Sequence, residues 1–277
     1  MSPEPAAAQG VAQAPALLHL EGLAKIYSDG TRALSAVNAD VRRGELVSLL
    51  GPSGCGKSTL LRLIAGLDQA SAGKVRWLDD AGAGAAGGEA GAAGAAGTAG
   101  KLAFVFQEPA LLPWANVFEN VRLPLKLARR DRGSADRAVA AALALVGLED
   151  ARSAYPRTLS GGMRMRVSIA RALVTEPSVL LLDEPFAALD EITRFKLNDD
   201  LLKLWHERHL TVIFVTHSVF EAVYLSGRVL VMAAAPGRIV AEVPVALPYP
   251  REGTLRTEPA YGERCRAVSR ALAEAAA

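Results

Sequence analysis

The chain has 277 residues, 51% of them apolar and 22% charged, a length and balance that allow a substantial buried core in one large domain or a domain with a small appendage. Its 31 basic and 29 acidic residues leave a formal charge of +2, too weak a field to draw in a polyanion, so no nucleic-acid partner is expected. Two cysteines, Cys55 and Cys265, make no disulfide framework and suit a reducing compartment. There is no run of about 18 apolar residues to span a bilayer. Residues 1–8 lack the basic region and apolar run of a secretion signal, so a cytoplasmic location is expected.

Residues 1–16 are rich in Ala, Pro and Gln, and disorder is expected there. Residues 17–26 set Leu18, Leu20 and Leu23 against His19 and Glu21, the alternation of an edge strand, which Tyr27 closes before a Ser-Asp-Gly turn. Strands are also predicted over 33–41 and 45–50, then a helix from Lys57 to near Gly66 and a short strand over 73–78. Residues 81–100 are almost wholly Gly and Ala and read as a low-complexity surface loop. The buried pattern resumes over 102–106, followed by Gln107 and Glu108. A helix is predicted over 116–127, capped by Asn116 with Glu119, and Pro124 should break or kink it.

An alanine-rich helix follows over 134–146, closed by Gly147, and another over 160–173, headed by Gly161 and Gly162. The apolar strand 178–182 ends in Asp183 and Glu184. The helix 190–208 places Leu197, Leu201 and Leu204 on one face. The strand 210–215 ends at Thr216 and His217, and Ser218 with Glu221 reads as a capping box for the next helix. Strands over 228–232 and 238–243 close the pattern. A proline-rich stretch then leads to a terminal helix from about Pro259, docked by Val268 and Leu272. The succession predicts an α/β fold: a mostly parallel sheet covered on both faces, a peripheral antiparallel β-subdomain, and an inserted helical subdomain over about 118–173.

The stretch Gly51-Pro52-Ser53-Gly54-Cys55-Gly56-Lys57-Ser58-Thr59 lies between a predicted strand and a predicted helix. That is the setting of a phosphate-binding P-loop, in which glycines turn backbone N–H groups inward. Lys57 can then reach the β- and γ-phosphates and Ser58 can offer its hydroxyl to Mg2+. Asp183, at a strand end, can hold the same metal, and Glu184, pointing elsewhere, can accept a proton from attacking water. His217 and Gln107 end other strands, where one can meet the γ-phosphate and the other can sense metal and water. Ser160 caps a helix whose first amides, at Gly161 and Gly162, are exposed to an anion. In a head-to-tail dimer that helix end can meet a partner's γ-phosphate.

This set resembles the nucleotide-binding subunits of ATP-binding cassette (ABC) transporters over about residues 17–245, leaving 246–277 as an extension with a short helix. Residues 51–59 match the Walker A loop, 179–184 the Walker B strand and 159–163 the family signature. Gln107 falls on the Q-loop, Ala188-Leu189-Asp190 on the D-loop, His217 on the switch histidine and Tyr27 where the family stacks an aromatic on adenine. The resemblance implies a P-loop NTPase core, ATP with Mg2+, and a homodimer with two ATPs sandwiched between one chain's Walker A and the other's signature. It also implies two transmembrane permease subunits, a periplasmic solute-binding protein, and a peripheral place at the cytoplasmic face of a bacterial inner membrane. Residues 106–114, 159–163, 221–225 and 236–238 are similar to nitrate/sulfonate/taurine importer ATPases. A soluble cassette acting as a clamp on nucleic acid or ribosomes is the competing class. It is disfavoured by the single P-loop and the absence of a heptad run. Three positions depart from the family: Met165 for Gln, Ser218 for Asp and Ala187 for Gly. Modest effects are expected, since helix packing tolerates the first and capping compensates the second.

Overall fold

The computed structural model describes residues 14–78 and 102–276. The tail expected over 1–16 lies outside the described residues except for its last three, and the low-complexity stretch 81–100 lies wholly outside them. Three strands, β1 (Ala16–Ile26), β2 (Arg32–Arg42) and β4 (Ala72–Trp77), form an antiparallel sheet in the order β2-β1-β4. β1 is therefore the centre of that sheet, not an edge, because the sequence-distant β4 pairs along its second side.

The main sheet has six strands in the order β5 (Leu102–Val105), β6 (Val179–Asp183), β7 (Thr211–Thr216), β3 (Leu46–Leu50), β8 (Arg228–Ala233) and β9 (Arg238–Pro244). All are parallel except β9, which runs against β8. Every residue of β3, β6 and β7 is buried. Their alternate side chains feed two cores: Val47, Leu49, Leu181, Ile213 and Val215 pack toward the antiparallel sheet, and Leu46, Leu50, Leu180, Leu182 and Phe214 pack toward the helices on the other face. A strand covered on both faces favours apolar residues at nearly every position, which is why these segments read as apolar runs broken only by Ser48 in β3 and by the polar residues Thr211, Thr216 and Asp183 at strand ends.

Helix α1 (Lys57–Ile64) buries Leu60, Leu61, Leu63 and Ile64 in the first core, wedged between the two sheets. The second core takes α2 (Val117–Leu127), α3 (Arg132–Leu145), α4 (Gly161–Leu173), α5 (Glu191–Arg208), α6 (Val219–Leu225) and α7 (Pro259–Ala276). In α2 the Asn116–Glu119 capping box forms in both directions. Pro124 does not end that helix, which continues to Leu127, and the buried face Val117, Val121, Leu125 spans the proline. α3 starts two residues before Ser134, because Asp131 accepts the Ser134 N–H at 2.9 Å and takes the cap.

The residues after 245 join the same core. α7 is 18 residues long, not short, and buries Tyr261, Cys265 and Val268 with Leu272 packed at the margin. Arg251 fastens this segment to α6. Its guanidinium donates to the carbonyls of Val223, Tyr224 and Ser226 at 3.3, 2.6 and 3.0 Å, and to those of Leu247 and Pro248. Carbonyls at a helix end have no partner within the helix, so a cation there satisfies them and the helix dipole together. Arg251→Ala should destabilise the protein by ~3 kcal/mol, the scale of losing charge-assisted hydrogen bonds. Thermal unfolding measures it, and an unchanged melting temperature would show that water replaces the side chain.

Candidate active site

The parallel strands β5, β6, β7 and β3 are neighbours, and their carboxyl ends lead to Gln107, to Asp183 and Glu184, to His217 and to the loop 51–59. Sheet order thus gathers groups that are far apart in sequence at one edge, where open α/β sheets place their ligands. In the loop, Gly54 and Gly56 have φ of 78° and 90°, a conformation costly for any residue with a Cβ. At Gly56 a Cβ would also lie 2.7 Å from the Ala33 carbonyl oxygen. The loop curls around Lys57, whose Nζ donates to the Gly51 and Pro52 carbonyls at 2.9 and 3.0 Å. Ser53 and Gly54 form the exposed tip. Cys55 is fully buried beneath it, and burial pushes its thiol up, so it acts as a small packing residue and not as a reactive thiolate. Both cysteines are free.

The Tyr27 hydroxyl pairs with the Thr59 hydroxyl at 3.1 Å, which holds the half-buried ring beside the first turn of α1. Lys25 Nζ stands 5.1 Å above that ring. Ser58 Oγ donates to Asp183 Oδ1 at 2.8 Å. Asp183 is buried, and that burial pushes its carboxyl above the usual range, opposed mainly by the Ser58 hydrogen bond. A carboxyl whose folded pKa is raised binds its proton more tightly in the folded chain. Stability is therefore lost as pH rises from the ordinary carboxylate value through the folded one. A nearby cation would relieve it. The two hard oxygens suit Mg2+. Among the described residues no group of three His, Cys, Asp or Glu could hold a metal without help, so phosphate and water oxygens would complete the shell. Asp183→Asn should raise the melting temperature of the protein without nucleotide, the more so as pH rises through the folded value of the Asp183 carboxyl, while lowering Mg2+-dependent turnover by about 10–100-fold. A lowered melting temperature would contradict the burial argument.

Glu184 has φ of 44°, a left-handed conformation that costs a non-glycine residue of order 1 kcal/mol or more. Its N–H bonds to the Val215 carbonyl at 3.1 Å, which holds the twist. The twist turns its carboxylate away from Asp183 to lie between Lys57 Nζ, 3.6 Å from Oε1, and His217 Nδ1, 3.4 Å from Oε2. Gln107 is exposed two residues beyond β5, and no hydrogen bond joins it to Ser58, Asp183 or Glu184 among the described residues.

Ser160 caps α4, its Oγ accepting the Met163 N–H at 3.2 Å, and no hydrogen bond joins it to the loop 51–59 of its own chain among the described residues. Gly162 carries a packing constraint as well, since a Cβ there would lie 2.6 Å from Thr193 Cγ2. The start of α4 thus rests on the start of α5, where the exposed Asp190 accepts the Thr193 N–H at 2.9 Å. That N–H holds the Asp190 carboxyl below the usual range.

The capping box expected from Ser218 and Glu221 forms in one direction only. Ser218 Oγ accepts the Glu221 N–H at 3.3 Å, but the Ser218 N–H goes to Thr216 Oγ1 at 2.9 Å. Glu221 turns instead toward the Thr216 hydroxyl, 2.5 Å away, and toward Arg194, Nε to Oε1 3.5 Å. Sequence reasoning assigned Glu221 to a cap and missed Thr216 and Arg194, whose contacts no local spacing encodes. Met165 is a buried core residue, and Ala187 has no positive φ, so neither departure strains the backbone.

The model of the ABC transporter family matches residues 34–187. The chain is 42% identical to the aliphatic sulfonates import ATP-binding protein SsuB of Bacillus cereus, over 85% of this chain and 88% of that protein. Among solved structures, cbiO1 from Clostridium perfringens, part of the ABC transporter complex cbiONQ, superposes with a TM-score of 0.72 at 31% identity, covering 83% of this chain and 89% of that one. A dimeric bacterial ABC transporter cassette superposes with a TM-score of 0.71 at 32% identity, covering 83% of this chain and all of that one.

Proposed function

The chain belongs to the ABC transporter family, and from that premise we propose that it is the ATP-hydrolysing subunit of an importer, working as a two-fold dimer on a partner permease. The observation that carries this reading is the convergence of Lys57, Ser58, Asp183, Glu184 and His217 at one sheet edge. Lys57, freed from the loop carbonyls, binds the β- and γ-phosphates, and the backbone N–H groups of the loop 51–59 cradle them. Ser58 and Asp183, with Gln107, would hold Mg2+, which when bound would supply charge neutralisation at the phosphates. Tyr27 stacks on the adenine. Glu184 takes the proton of the attacking water, and His217 orients Glu184 and meets the γ-phosphate.

Ser160, Gly161 and Gly162 offer the start of α4 to the triphosphate on the partner chain, where amides and helix dipole favour an anion. Asp190 lies at the same face. A solute-binding protein delivers a small nutrient such as nitrate, a sulfonate or taurine, the SsuB relative being named for aliphatic sulfonates. Among the described residues no helix is long and apolar enough to cross a membrane, so the spanning segments belong to the permease. We place the subunit peripherally, at the cytoplasmic face of the inner membrane. Trp114, 74% exposed, and Phe106 belong to the segment that follows β5 and offer apolar surface to that partner.

Co-purification from native membranes tests the reading. Turnover by the assembled complex should rise when the binding protein carries its solute. Equal turnover with and without membrane subunits and loaded binding protein would contradict it.

A further inference from the structure

His217 stands on a loop whose two flanking residues are both held by side chains outside the ATP-contacting set. On one side, the Thr216 hydroxyl donates to Glu221 Oε2 at 2.5 Å. On the other, the Ser218 N–H donates to that same hydroxyl, and Ser218 Oγ receives the N–H of Glu221. Thr216 and Glu221 are buried, so this bracket is poorly screened by solvent. Burial pushes the Glu221 carboxyl up, while the Thr216 hydroxyl and Arg194 oppose that shift.

The second oxygen of Glu221 faces Arg194 Nε at 3.5 Å, and among the described residues neither atom has a hydrogen bond to any other group. Nη2 of the same guanidinium, next to Nε along one edge, donates to the Leu189 carbonyl at 2.8 Å. Leu189 immediately precedes Asp190, the cap of α5 at the face where the partner chain is proposed to sit. One planar cation, using two adjacent donors of its fork, thus joins the segment 187–190 to the bracket around His217, a pair of fixed contacts that arginine provides and lysine does not.

We propose that Arg194 is a positioning residue that, through Glu221 and Thr216, makes the setting of His217 depend on the position of the segment 187–190. A partner chain that displaces Leu189 then moves the anchor of the histidine loop. The same reach explains why Glu221 is turned away from the reciprocal cap. This inference rests on the proposed role of His217 at the γ-phosphate.

The test uses the full chain and its four histidines, whose ring signals NMR resolves, with His217 assigned by its loss in His217→Ala. Arg194→Gln should shift the His217 signal and leave those of His19, His206 and His209 in place. It should lower kcat about tenfold, the scale of a small misplacement, with KM for ATP changed less than about twofold. Glu221→Gln should reproduce both effects. Arg194→Lys, which keeps a charge beside Glu221 without the second bond, should fall between, and it carries the test if the Gln variant does not fold. An unmoved His217 signal, an unchanged kcat, or equal shifts at all four histidines would overturn the proposal. Full turnover in His217→Ala would instead overturn the underlying role of His217, which separates the two failures.

Discussion

Glu184→Gln should lower ATP turnover by about 10²–10⁴-fold, the range lost with a general base, while ATP binding persists. The substitution keeps the shape and one acceptor oxygen but removes the group that takes a proton. Glu184 is the group suited to that task. Asp183 is occupied by Ser58 and buried, whereas Glu184 is held in a left-handed backbone conformation that aims its carboxylate at the space between Lys57 and His217. Gln at 184 also removes a negative charge beside the triphosphate, which favours the bound state. With ATP present the variant should accumulate as a dimer that sizing or light scattering detects. Wild-type turnover, or a wholly monomeric variant at saturating ATP, would remove Glu184 from the role assigned to it.

Lys57→Ala should abolish measurable turnover and weaken ATP binding by about 10-fold or more, the scale of a charge-assisted contact to phosphate. Two losses combine. The ammonium that would meet the phosphates disappears, and the Gly51 and Pro52 carbonyls that it satisfies lose their donor. Only the second is felt without nucleotide, so the variant should also show a loosened loop by hydrogen exchange at residues 51–59. Calorimetry of ATP binding separates the terms: preserved affinity with a loosened loop would mean that Lys57 is structural and not a phosphate ligand.

The phosphate loop was legible because its signal is local. Glycines that need φ near 78° and 90° sit at fixed spacing between an apolar strand and a helix, and a short window contains all of it. The strands beneath the site were legible for a related reason, since burial on both faces writes a nearly continuous apolar run into β3, β6 and β7. Pairing is not written locally. β1 reads as an edge because its partner β4 lies beyond the turn at 28–30, β2 and the whole of α1. The same distance hid the left-handed backbone of Glu184, which depends on a hydrogen bond to Val215 on another strand. It hid the steric need for Gly162, set by Thr193 on another helix. Glu221 shows a local rule overridden: its spacing from Ser218 suits a capping box, and a buried hydroxyl and a cation outbid the backbone amide for its carboxylate.

The central claim is that each ATP site is shared, with Lys57 of one chain and Ser160 of the other at the same triphosphate. Mixing Lys57→Ala protein with Ser160→Arg protein tests it most directly, because neither variant alone can form an intact shared site. In a mixed dimer one of the two sites carries both lesions and the other carries none. An equal mixture should therefore recover about one quarter of wild-type hydrolysis, half of its dimers holding one intact site of two. A mixture no more active than the two variants measured apart would mean that each site is built within a single chain.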